Sequence, residues 1–94
     1  MSLLFEWDPK KAKRNHTLHG VSFDEASTAF QDVLSTTIDD PLHSIGEGRY
    51  ILTGLSHRGR LLVVVHTERG DRIRIISARL ATNKERDQYE EITK

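Results

Sequence analysis

No cysteine occurs in these 94 residues, which excludes disulfide frameworks, thiolate catalysis and Cys-ligated zinc and leaves stability to packing alone. Long apolar runs are also missing. The longest, Leu61 to Val65, is far short of the roughly 20 residues that cross a bilayer. The N-terminus lacks the apolar segment of a secretory signal, so a soluble, cytoplasmic protein with no membrane partner is expected. Serine nucleophile elbows, phosphate-binding Gly-rich loops and zinc-protease helices do not occur, and no metal or organic cofactor is implied. Net charge is absent too, with 14 Lys and Arg against 14 Asp and Glu, but this neutrality conceals segregation. Between Val21 and Gly48 there is no Lys or Arg at all, whereas Lys10, Lys11, Lys13 and Arg14 cluster just before that interval. From Arg58 to Arg86, eight cations face three acids, a net charge of +5.

What is present is enough for one compact domain over residues 1–94, with no room for a second. Leu3 to Trp7 reads as a short strand that runs into a helix, with Asp8 at the N-cap and Pro9 at the first helical position. That helix carries its Lys and Arg residues on the wet side and ends near His19, where Gly20 supplies the left-handed C-terminal residue. Ser22 and Glu25 have capping-box spacing, so a second helix starts at Phe23, with Phe23, Ala26, Ala29, Phe30 and Val33 facing the core. A strand over Leu34 to Ile38 and a loop from Asp39 to Gly48 follow.

Three strands then form a meander: Arg49 to Leu55, Leu61 to Thr67 and Arg72 to Arg79, joined at Arg58-Gly59 and Arg69-Gly70. Leu61 to Val65 is apolar at every position, the mark of a central strand covered on both faces. A two-residue turn at Arg69-Gly70 pairs Glu68 with Asp71. It also puts Arg72, Arg74, Ile76 and Ala78 on one face and Ile73, Ile75, Ser77 and Arg79 on the other, an assignment that a one-residue change of turn would alter. Thr82 to Glu85 repeats the capping-box spacing and opens a final helix that carries Tyr89 and Ile92. The fold class expected is α+β: two N-terminal helices packed on an antiparallel sheet, the three-strand meander plus a short N-terminal strand, with a C-terminal helix.

Arginines on such a sheet suit phosphate, because guanidinium stays charged and offers a planar fork of donors. The competing reading makes them solvated faces, turn residues and edge-strand gatekeepers. His16 and His19, three apart at a helix end, lack a third ligand for a zinc site and suit capping of the helix C-terminus. His66, at the end of the central strand, reads either as a satisfied structural histidine or as an acid-base group. His43 and His57 fall in a loop and a turn with no evident partner. Asp39, Asp40 and Glu47 match no calcium-loop spacing and read as an acidic solvated loop.

Taken in order, Phe5-Glu6-Trp7-Asp8, Lys11, Asn15, His19 to Ala26, Asp39-Asp40, Gly46-Glu47, Arg49, Gly54 to Ser56, Gly59-Arg60, Arg74 to Arg79 and Glu85 to Tyr89 form a pattern that resembles the BrnT toxin family over nearly the whole chain. The resemblance implies a RelE-like fold and a metal-free ribonuclease toxin neutralised by a BrnA-like antitoxin. It also implies contact with DNA only indirectly, through a ribbon-helix-helix element of the antitoxin. It departs at Leu18, where many relatives carry Lys, so Lys11 or Lys13 would take over any phosphate contact made there. Metal-free cleavage uses the ribose 2′-OH as nucleophile. The site expected on this basis has Arg79 as the main phosphate clamp, assisted by Arg74 and Arg60, with Lys11 and Arg49 also binding substrate. Tyr89 is the candidate to stack a base or protonate the leaving oxygen, and core packing with Ile92 and Phe5 is its alternative. His66 or His19 is the candidate general base. The competing class is a non-enzymatic basic module that docks an acidic partner or RNA.

Overall fold

In the computed structural model, described over residues 3–41 and 48–93, the chain runs β1 (Leu4–Glu6), α1 (Pro9–His19), α2 (Phe23–Thr28), a 3-10 turn (Ala29–Gln31), β2 (Thr36–Asp39), β3 (Arg49–Leu55), β4 (Leu61–Arg69), β5 (Arg72–Leu80) and α3 (Asn83–Ile92). The helix ends follow local chemistry. Asp8 accepts from the Lys10 N–H at 2.8 Å, and Gly20 closes α1 at φ 70°, a conformation that costs glycine nothing. Thr82 and Glu85 form a complete capping box at the start of α3. Ser22 likewise caps α2 by accepting from the Glu25 N–H. The Glu25 carboxylate, however, does not close the expected box: it turns to Ser56 and Arg60.

Five strands form one sheet in the order β1-β5-β4-β3-β2. β4 is central, as its unbroken apolar run requires, and its residues Leu61 to Val64 are all buried. The sheet is mixed, not antiparallel as expected, because β1 pairs in parallel with β5, Leu4 to Glu6 lying beside Arg72 to Arg74. A three-residue segment followed by two helices has no hairpin to reverse it, so it returns to the far edge of the meander. β2 begins at Thr36, two residues later than the sequence suggested. Val33, expected in the core, is 94% exposed, because α2 stops at Thr28 and the chain leaves the helical period before reaching it.

α1 and α2 cover one face of the sheet. Val21, Phe23 and Ala26 pack there on Leu62, Val64, Ile75 and Ala78, with Phe5, Trp7, Ala12 and Phe30 around them. Each large apolar side chain buried here contributes ~1.5–3 kcal/mol. Gly54 in β3 is required by close approach. A Cβ there would stand 2.9 Å from both the Ala29 carbonyl oxygen and Ser35 Cβ, so β3 can pass beneath the 3-10 turn only with glycine at this position. The expected acidic loop is described only in part: Asp39 ends β2 and Asp40 is buried, while His43 and Glu47 lie outside the described residues. No helix among the described residues is long and apolar enough to cross a membrane.

Candidate active site

The β4–β5 hairpin decides which arginines meet. Arg69 pairs with Arg72, so Gly70 and Asp71 form the turn and the expected Glu68–Asp71 pair does not occur. Further along, Val65 pairs with Ser77 and His66 with Ile75, leaving Ile76 as an extra residue. A bulge of this kind reverses the alternation of side chains beyond it. Arg74 pairs with Thr67 and Arg79 with Val63. Thr67 and Val63 are four residues apart on one strand, so Arg74 and Arg79 share a face, where regular alternation assigned them to opposite faces. Ile75 and Ala78 correspondingly both enter the core.

This is the face away from α1 and α2. A row crosses it from Glu6 through Arg74 and Thr67 to Arg49, and a second row runs from Arg79 through Val63 and Thr53 to Thr36. At ~3.3 Å per residue the rows lie roughly 13 Å apart, so the two arginines suit neighbouring groups along an extended ligand better than a single atom. Thr67 Oγ1, in the first row, is buried without a hydrogen-bond partner among the described residues. α3 lies over the end of the second row. Between them is a cleft of about 640 Å³ whose lining includes Ile38, Ile51, Arg79, Glu85, Gln88 and Tyr89.

Charge on this face is paired. Arg79 donates to both oxygens of Glu85, at 2.8 and 3.0 Å, and to the Leu80 carbonyl at 3.3 Å. This fork holds the Glu85 carboxyl down to about 2 and raises the Arg79 guanidinium. Glu85 also accepts from the Thr82 N–H at 2.8 Å, so one carboxylate both caps α3 and fixes the arginine. Arg74 donates to Glu6 at 2.9 Å. The Tyr89 hydroxyl donates to Asp32 Oδ2 at 2.5 Å. Burial first, then the Asp32 carboxylate, push the phenol up to about 12. Tyr89 therefore touches the cleft through its ring and is tied at its polar end; it does not pack on Phe5, which lies on the opposite face against Phe30.

The remaining expected residues lie elsewhere. His66 is buried on the helix side, 4.8 Å from the Phe30 ring and 5.8 Å from the Tyr50 ring, centroid to centroid. Burial lowers its pKa, and the sheet separates it from Arg79. His19 ends α1, exposed. Arg60 donates to both oxygens of the buried Glu25 and to the Gly20 carbonyl, locking the β3–β4 turn to the helices. Lys11 is exposed on α1, and Arg49 begins β3, half-buried, at the end of the first row. Sequence reasoning passed over Glu85 and Asp32, treating the first only as a cap. The five-residue spacing of Arg79 and Arg74 was the available signal, and it becomes informative only once the bulge is known. Among the described residues no three His, Asp or Glu side chains gather closely enough to hold a metal ion.

The family of the ribonuclease toxin BrnT of type II toxin-antitoxin systems matches residues 7–85. The crystal structure of the Brucella abortus ribonuclease toxin BrnT, at 1.1 Å resolution, is similar in fold, with a TM-score of 0.68 at 18% identity, covering 87% of this chain and 100% of that one. No curated protein matches the chain. With the match running from the tryptophan before α1 to the carboxylate that holds Arg79, the chain belongs to the BrnT family of ribonuclease toxins of type II toxin-antitoxin systems.

Proposed function

We propose that the protein cleaves RNA by attack of a ribose 2′-OH on the adjacent phosphate, without a metal, and that Arg79 is its main phosphate ligand. The observation that carries this reading is the bulge at Ile76, which brings Arg74 and Arg79 to one face, Arg79 at the wall of a cleft beside a carboxylate. Guanidinium stabilises charge on phosphorus but does not transfer protons near neutrality. The carboxylate supplies that function. A phosphate that engages Arg79 competes with Glu85 for the same fork, and a carboxylate released from the fork recovers basicity. Glu85 then accepts the 2′-OH proton as the 2′-oxygen bonds to phosphorus; the bond from phosphorus to the 5′-oxygen breaks and that oxygen takes a proton from water. The products are a 2′,3′-cyclic phosphate and a 5′-hydroxyl. Tyr89 acts as a positioning residue, holding α3 through Asp32, and Arg74 and Arg49 bind a neighbouring phosphate. In the cell the protein is neutralised by an antitoxin of the ribbon-helix-helix type, which alone contacts DNA.

Purified protein is expected to cut single-stranded RNA in EDTA, to leave 2′-O-methyl RNA intact, and to lose cleavage on Arg79→Ala while still folding. An Arg79→Ala protein that still cuts would overturn the assignment. Cleavage of 2′-O-methyl RNA would overturn the 2′-OH mechanism.

A further inference from the structure

The sheet arginines that dominate the sequence are mostly neutralised in the fold. Arg60 is paired with Glu25, Arg74 with Glu6 and Arg79 with Glu85. Exposed cations without an ion pair among the described residues remain at the β4–β5 turn, Arg69 and Arg72, and on α3, Lys84 and Arg86, but the densest group lies on α1. The side chains of Lys10, Lys13 and Arg14 are exposed and form no ion pair among the described residues, and α1 itself contains no acidic residue. With Thr17 and Leu18 they line a shallow groove on the outer side of the helix. Their spacing of i, i+3, i+4, i+7 and i+8 is that of one helical face, opposite the face that buries Asn15.

Asn15 shows where this groove lies relative to the cleft. β1 pairs with β5 only as far as Arg74, so the outer edge of β5 beyond it has no strand neighbour. α1 fills that place: Asn15 donates to the Ala78 carbonyl at 2.8 Å and accepts from the Ala78 N–H at 3.1 Å. The middle of α1 therefore lies against β5 at Ala78, the residue before Arg79, along the edge that separates the helix-covered face from the cleft face.

We infer that the outer face of α1 is a docking surface for RNA, binding backbone phosphates outside the cleaved linkage through Lys10, Lys13 and Arg14. The inference rests on the nuclease reading for its choice of polyanion. A flexible strand with one phosphate per nucleotide matches cations that recur over successive helical turns, about 5.4 Å apart along the axis. No base is read, so the contact is electrostatic and sequence-blind.

The test is binding of a fluorescent 2′-O-methyl single-stranded RNA, uncleavable by 2′-OH attack, to the full-length protein across a salt series. Each phosphate contact contributes about 0.7 to the slope of log K against log salt on a single strand. The triple variant Lys10→Gln, Lys13→Gln, Arg14→Gln is therefore expected to flatten the slope by about 2 while keeping the wild-type melting temperature. Single variants, each expected to flatten it by about 0.7, serve if the triple variant does not fold. An unchanged slope and affinity would overturn the inference. So would loss of antitoxin binding with RNA binding intact, which would make this face a dock for an acidic protein. Wild-type protein that binds with the full slope but leaves unmodified RNA uncut would sink the nuclease reading alone; wild-type protein that cuts RNA while the variants keep the full slope would sink this inference alone.

Discussion

The Tyr89 hydroxyl donates to Asp32 Oδ2 across 2.5 Å, and the same carboxylate accepts from the Leu34 N–H at 2.9 Å and the Leu55 N–H at 2.8 Å. One side chain thus joins the end of the 3-10 turn, the end of β3 and α3. Burial pushes the Asp32 carboxyl up, but these three hydrogen bonds outweigh it and leave the group below its usual value. α3 has Tyr89 as its one buried residue, so this bond and the Arg79–Glu85 fork hold it over the cleft.

Tyr89→Phe is expected to cost ~1.5–3 kcal/mol, the range for a hydrogen bond to a charged group, measured by urea unfolding. The phenol is raised from 10 to about 12 in the folded protein, so its contribution to stability is complete below pH 10 and is lost as the pH rises toward 12. A Tyr89→Phe protein should therefore lack this part of the alkaline loss. Equal alkaline profiles for the two proteins would show that the bond is not what holds α3.

Glu25 is 3% exposed and is held down to about 2, chiefly by its hydrogen bond from Arg60. Arg60→Ala leaves a buried carboxylate with only Ser56 and the more distant Arg58 and is expected to cost ~3–5 kcal/mol. Restoration of much of that loss by a second change, Glu25→Gln, in thermal unfolding identifies Arg60 as a structural lock. Wild-type stability in Arg60→Ala together with weakened RNA binding would identify it as a substrate ligand instead.

Asn15 satisfies both backbone groups of Ala78 next to the bulge. Asn15→Ala is expected to cost ~1–3 kcal/mol for each buried group left unsatisfied. Asn15→Asp keeps the acceptor and loses the donor to Ala78 and Val21. Because the bulge sets the facing of Arg79, hydrogen exchange should show faster opening of Ala78 in Asn15→Ala, where its N–H loses its acceptor, than in Asn15→Asp, where it keeps one; unchanged protection in Asn15→Ala would detach Asn15 from the geometry of the site.

His66 has its pKa lowered by burial. A base whose folded value is depressed contributes stability that is full above the unfolded value of about 6.5 and declines as the pH falls through the folded one. His66→Gln is expected to remove this acid-side decline and to retain RNA cleavage. A folded His66→Gln protein without cleavage would restore the histidine as general base.

Helix boundaries were legible in the sequence because their causes are local. Gly20 at positive φ, Ser22 and Thr82 as N-caps and Pro9 at the first helical turn act within a few residues. The central place of β4 was legible for a different reason: an unbroken apolar run has to be covered on both sides. The resemblance to BrnT toxins rested on short segments spread along the chain, and the match over residues 7–85 bears it out.

The candidate site was legible only as a list of arginines. Regular alternation over Arg72 to Leu80 mixes apolar and charged side chains on both faces, and only the inserted residue sorts them, the arginines to one face and Ile75 and Ala78 to the core. The bulge at Ile76 is set by pairing with β4, and with it the meeting of Arg74 and Arg79. Nor does local pattern say which carboxylate reaches which guanidinium. Glu25 meets Arg60 across 35 positions and Glu6 meets Arg74 across 68. By itself the sequence determined the elements, their caps and the charged residue types, all governed by interactions within a turn or two of chain. Tertiary structure alone decided which positive charges are neutralised and which remain free, because that depends on long-range partners brought together by packing.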